Sequence, residues 1–268
     1  MKILNKNTLH GRVFFLFCIF FFSVVEVMAA DSKLHVSDAA CGIQYASQKI
    51  AKSYFYKELD IRYETAVQHI KQGQKEFDEN LPLLQENLRD KEQENIMKFV
   101  LSSYEQLKAI LPKPYSDENG AIILDASESI FEAAGFLAEA HLPEHRNGEE
   151  IMLGDIQRQL RLLERINKYY IAHHAGIKDE SSVTQLKQSV ADFETGLQKI
   201  NDHEKHTEAL AKSVERIDKL WPIAKDFYLG LQQREQPVIV LAATDKLTED
   251  LGLLEQYHKK MVLENGKK

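Results

Sequence analysis

An all-α fold, two tandem up-down four-helix bundles, is predicted by three features of this sequence: its composition, its apolar spacing and an internal repeat. From about Ser37 onward, Ala, Leu, Glu, Lys and Gln dominate. Twelve glycines and six prolines in 268 residues leave room for long helices and few turns. Ile70, Phe77, Leu81, Leu84 and Leu88 recur at helical intervals, as do Val183, Leu186, Val190, Phe193, Leu197 and Ile200. Leu210, Val214, Ile217 and Trp221 continue the pattern. Such stripes are the buried faces of amphipathic helices packed nearly parallel.

The chain opens with Lys2, Lys6 and Arg12, then an uncharged, phenylalanine-rich run from Val13 to Val25, then Val27-Met28-Ala29-Ala30-Asp31. A basic start, an apolar stretch too short to span a bilayer and a small-residue cleavage pattern predict a Sec-type signal peptide over 1–29, hence a periplasmic product. An uncleaved anchor is the alternative, and no lipobox precedes Cys18. Cleavage removes Lys2, Lys6, Arg12 and Glu26, taking the formal charge from −7 to −9. A surface that acidic argues against nucleic acid, whose phosphates need a basic face. Cys41 is then the one remaining cysteine, which excludes an internal disulfide and a cysteine zinc site.

Within 31–148, the first bundle, helices are expected over 38–59, 62–87, 91–111 and 120–142. Breaks fall near Asp60, at Asn87 to Asp90, and across the stretch from Pro112 to Gly120. Leu142 to Gly148 links the copies. Within 149–268, the second bundle, helices are expected over 150–175, 180–201, 204–230 and 238–263, with Gly176 suited to a left-handed cap after the first. Pro237-Val238-Ile239-Val240-Leu241 is the one strand-like run, and it leads directly into a helical pattern.

The repeat places Ser47-Gln48-Lys49-Ile50-Ala51-Lys52-Ser53-Tyr54 over Leu163-Glu164-Arg165-Ile166-Asn167-Lys168-Tyr169-Tyr170, an offset of 116. The same offset sets Phe77 on Phe193 and Leu81 on Leu197. After a six-residue deletion, Leu107 to Pro112 lies over Ile217 to Pro222. Farther on, Gly135, Leu137 and His141 match Gly252, Leu254 and His258. Shared Phe, Pro and Gly punctuation points to duplication.

The segment Gly42-Ile43-Gln44-Tyr45-Ala46-Ser47-Gln48-Lys49-Ile50-Ala51-Lys52 resembles the signature Gly-Arg-Gln-Arg-Met-Leu-Ser-Gln-Arg-Met-Ala-Lys. That signature opens the extracytoplasmic sensor domain of type IV pilus methyl-accepting chemotaxis transducers, the PilJ-type domain shared with NarX-like nitrate sensors. Phe77 to Leu81, Phe193 to Leu197 and Leu220-Trp221-Pro222-Ile223-Ala224-Lys225 are similar to later pieces of that family, so the resemblance spans roughly 40–112 and 156–226. It implies a sensor-domain fold and a ligand held where two first helices meet across a dimer; here the two copies would form that junction within one chain. The family's anion-contacting arginine falls on Gln44 in the first copy and Leu160 in the second, which argues against nitrate at the usual place. No transmitter segment follows.

Candidate ligand-binding residues are therefore Gln44, Tyr45, Gln48, Lys49 and Lys52 of the first copy and Arg158, Arg161, Arg165 and Lys168 of the second. The four cations share one helix face and read either as an anionic-ligand stripe or as a solvated surface. No cofactor and no metal is expected. His173-His174, His203-x-x-His206 and Glu255-x-x-His258 are the histidine candidates, but Ala138 stands where a second Glu-x-x-His motif would need its glutamate, and His203 and His206 are expected to be solvent-exposed. Catalytic signatures are absent, so a non-enzymatic protein is expected. Two functions follow: a sensor-like module that binds a small ligand or docks on a membrane receptor or pilus-linked protein, or a helical scaffold recognising another protein.

Overall fold

A computed structural model describes residues 36–203, 207–231 and 236–265, and over these the protein is all-helical with no strand. The expected signal segment and His206 lie outside the described residues. Helix α1 runs over 36–58, α2 over Tyr63–Glu86, α3 over Lys91–Ile110 and α4 over Asp117–Ala140. The second set is α5 (Gly148–His174), α6 (Glu180–Asn201), α7 (Glu208–Leu229) and α8 (Pro237–Asn265). Among the described residues no helix is long and apolar enough to cross a membrane.

Helix starts follow their capping residues. Asp90, Ser116 and Asp179 each accept the backbone N–H three residues on, and Thr207 does so for α7. Asn147 and Glu150 make a reciprocal capping box at α5. Two expected boundaries shift for this reason. α4 begins at Asp117 rather than near Gly120 because Ser116 is its cap, and α5 begins two residues early at Gly148. The strand-like run at Pro237 is helical, with proline at the first position, where its missing N–H costs nothing. Gly176 takes the positive φ expected of it, 111°, while Asp60 (56°) and Arg62 (48°) adopt left-handed backbone in the tight α1–α2 turn.

Contacts within each set of four are compatible with a bundle. In the first, Lys49 of α1 bonds Glu76 of α2, Phe77 of α2 stacks on Tyr104 of α3 at 3.7 Å, α3 packs along α4, and Gln44 and Gln48 of α1 bond back to α4. In the second, α5 packs along α6 and α8, α7 along α8, and Phe193 of α6 sits 4.3 Å from Trp221 of α7. Phe77 and Phe193 thus play equivalent parts.

The apolar core does not divide between the bundles: one continuous cluster runs from Val36 to Leu254. Its spine is α1 against α5. Along both, nearly every residue over Ala46–Tyr56 and Leu162–His173 is buried, so neither helix keeps a solvent face in its C-terminal half. Helices surrounded on all sides lie at the centre of the molecule.

Candidate functional site

The first helices of the two copies meet along a seam at a buried ion pair, and the candidate residues divide between this contact and the neighbouring helices. Lys52 of α1 places its Nζ 2.7 Å from Glu164 of α5, and both side chains are over nine-tenths buried. Burying two charges this far is tolerable only when they face one another.

Gln44 and Gln48 lie one turn apart on α1 and both bond to α4. Gln44 Nε2 donates to the Phe131 carbonyl at 2.7 Å, and Gln48 Nε2 donates to that of Ser127 at 2.8 Å. Gly135 makes room for the first, since a Cβ there would come within 2.7 Å of the Gln44 amide. Lys49 is buried on the opposite side, its ammonium 3.2 Å from Glu76 and 5.6 Å above the Tyr45 ring.

The cation stripe of α5 is not one surface. Arg158 is exposed, Arg161 half-buried, Arg165 buried, and Lys168 fully buried. The buried end is matched chiefly by Glu128 of α4, with Glu132 one turn on also 3.5 Å from Arg165. The Glu128 oxygens receive Arg165, Lys168 Nζ at 2.8 Å and the Tyr169 hydroxyl at 2.8 Å. Arg165 also donates to Gln185 Oε1 at 2.8 Å and lies over the Phe131 ring at 4.9 Å. Burial pushes the Glu128 carboxyl up, but Lys168 and Arg165 together outweigh it and hold it at about 2. For Lys168 burial wins: stripped of water, the ammonium is pulled down to about 8 even with Glu128 beside it. Burial, and then the Glu128 charge, raise Tyr169 well above the ordinary phenol range. This knot joins α4 of the first copy to α5 of the second.

The outer half of the stripe is different. Among the described residues, neither Arg158 nor Arg161 has a carboxylate within ion-pair distance. Arg161 corresponds to Tyr45 at the repeat offset, and both are half-buried at the outer part of the seam. Cys41, also half-buried, lies in the field of Arg161: burial raises its thiol, and the guanidinium works against that. Asp38 also acts on the Cys41 thiol, raising it, and Glu164, Glu76 and Glu255 raise the Tyr45 phenol after burial, but among the described residues none of these carboxylates pairs with Arg161.

Two features escaped sequence reasoning. An open groove of about 760 Å³ runs between α3 and α4, lined by Ile96, Phe99, Ala133 and Phe136, with Asp125, Glu128 and Glu132 along it. Phe99 and Phe136 are about half exposed, and their only sequence signal is that both fall off the core stripe. The second concerns His258. Glu255, three residues before it, is taken up by Gln157 of α5, whereas His258 faces Glu149. His203 is half-buried rather than solvent-exposed.

Compared with protein-family models, with curated proteins and with solved structures, the chain matches none.

Proposed function

We propose that the protein is an exported, non-enzymatic sensor-like module, of the PilJ-type kind its helix-opening segments resemble, which binds a small anionic ligand at the outer α1–α5 seam. The observation that carries this is the meeting of the two first helices within one chain, with Arg161 close enough to act on the Cys41 thiol and no carboxylate bonded to it among the described residues. A guanidinium in a half-buried notch presents a planar fork of donors suited to a carboxylate or phosphate. Occupancy would be transmitted to a membrane receptor or pilus-linked partner as a small displacement of α1 against α5, in the periplasm. Arg165 and Lys168 then serve the fold, since Glu128 already satisfies them.

The test is thermal unfolding of the mature protein against small anions, amino acids and metabolites. A ligand present at about 100 times its Kd stabilises a native-only binder by about 2.7 kcal/mol, well above detection. Arg161→Ala should abolish the shift while leaving unliganded stability close to wild type. A ligand-induced shift that survives Arg161→Ala moves the site elsewhere.

One observation favours the scaffold alternative, the Phe99–Phe136 groove with its acidic flank. Its complement is a basic amphipathic helix of a partner protein. No shift across the ligand library, together with a partner lost on Phe99→Ser and Phe136→Ser, would decide for that reading.

A further inference from the structure

The far end of the second bundle gathers three side chains from three separate elements. His258, on α8, is fully buried, and its Nδ1 lies 2.7 Å from Oε2 of Glu149 in the first turn of α5. His203, in the α6–α7 connection, brings its ring centroid to 5.4 Å from that of His258, at 66° between planes. One ligand atom from each of the three lies within 4.8 Å of the other two. Glu149 is not needed for the helix cap, because Glu150 closes the capping box with Asn147.

The first copy shows what this junction requires structurally. His141 is the counterpart of His258, and Asn87 that of His203. His141 is equally buried, yet its Nδ1 lies 2.8 Å from the Leu137 carbonyl and its Nε2 3.0 Å from that of Asn87. A histidine set between two backbone carbonyls, donating to one of them in its neutral form, is enough to pin the helix connection to the fourth helix. The second copy replaces that arrangement with a second imidazole and a carboxylate, which the fold alone does not demand.

We propose that Glu149, His203 and His258 form a binding site for a divalent transition-metal ion of the zinc class. Two imidazole nitrogens and one carboxylate oxygen are borderline donors, suited to Zn²⁺ and its first-row neighbours rather than to Mg²⁺ or Ca²⁺, which take all-oxygen shells. Binding displaces the proton shared by His258 and Glu149, and the three donors draw in around an ion at roughly 2.0–2.2 Å, leaving a further position for water. The ion would clamp the α6–α7 connection to α5 and α8. The site is independent of the proposed anion notch and stands or falls separately from it.

Isothermal titration of ZnCl₂ into the tag-free, chelator-stripped full-length mature protein tests this, with Co²⁺ absorption reporting the ligand set. One equivalent should bind saturably and raise the unfolding temperature. His203→Gln, at a half-buried loop position, should weaken binding roughly 100-fold while leaving the chelated protein's unfolding temperature near wild type. Glu149→Gln and His258→Gln should also lose binding, and His141→Gln should keep it. Absence of saturable binding overturns the proposal. So does binding unchanged by His203→Gln, or binding removed instead by substituting His173 and His174.

Discussion

Replacing Glu128 with glutamine leaves its shape and removes its charge, and the structure allows the consequence to be worked through. The carboxyl falls from an ordinary 4.5 to about 2 because Lys168 and Arg165 together outweigh its burial. At about 1.4 kcal/mol per pH unit, that difference is worth roughly 3 kcal/mol of stability at neutral pH. Glu128→Gln should therefore cost about 3 kcal/mol, within the range for breaking a buried pair by removing one partner. The sign with pH follows from the depressed value. The contribution is fully present above 4.5 and is lost as pH falls towards about 2, so wild-type and mutant stabilities converge on acidification. At the alkaline side, Lys168 already titrates near 8 with its counter-charge in place. Without Glu128 it releases its proton more readily, so the mutant's deficit shrinks between neutral pH and pH of about 9. Urea unfolding followed by far-UV circular dichroism from pH 3 to 9 measures all three effects. Adding Lys168→Met to Glu128→Gln should recover part of the loss but not all of it, because the buried Arg165 keeps only the exposed Glu132, at 3.5 Å, as a counter-charge. A Glu128→Gln deficit below about 1 kcal/mol, or one that stays constant down to pH 3, would refute the assignment of Glu128 as the counter-charge of the knot.

Two further substitutions probe the second bundle by the same unfolding assay. Thr244 Oγ1 lies 2.6 Å from the Tyr228 hydroxyl and 3.1 Å from Asn167 Oδ1; Thr244→Val removes both bonds inside a closed core and should cost about 1–3 kcal/mol. A Cβ at Gly196 runs into the buried Gln159 side chain, so Gly196→Ala should destabilise by about 1–2 kcal/mol despite alanine's helix preference, whereas Gly252→Ala on α8, with open space around it, should stabilise by about 0.5–1 kcal/mol.

The helices were legible because period and caps act locally. α6 spans the expected 180–201, and the breaks at Asp60 and Gly176 fall where turn chemistry put them. The starts of α4 and α5 moved because a polar residue beside each, Ser116 and Asn147, proved to be the cap. The candidate site was legible as residues but not as roles. Spacing of three and four puts Arg158, Arg161, Arg165 and Lys168 on one helix face, yet cannot say how deeply each end is buried. That depends on α4, 40 residues away in sequence from Lys168, swinging Glu128 across the bundle boundary. The Glu149–His203–His258 cluster was hidden for the same reason, since its members are separated by far more than one helical turn and the nearby Glu255-x-x-His258 motif pointed at the wrong carboxylate.

The repeat explains how the two bundles come to share one core. Lys52 and Lys168 are equivalent, and so, at the later offset, are Glu128 of α4 and Asp245 of α8. Each of these carboxylates reaches out of its own copy: Glu128 bonds Lys168 and Arg165 in the second, and Asp245 bonds Arg62 in the first at 2.6 Å. The exchange is reciprocal in topology and unequal in energy. Asp245 and Arg62 are both over two-fifths exposed, so water screens them and their pairing is worth little. Lys168 is fully buried and Glu128 mostly so, and Lys52 finds Glu164 across the seam, where the first copy has the neutral Gln48 at the equivalent position. The two first helices carry equivalent lysines, Lys52 and Lys168, each buried and each needing a counter-charge. Divergence answered one with Glu164 and the other with Glu128, both charges placed so that they act only when the copies are joined. At the outer seam Arg158 and Arg161 have no such carboxylate among the described residues, which is why the proposed ligand notch is placed there.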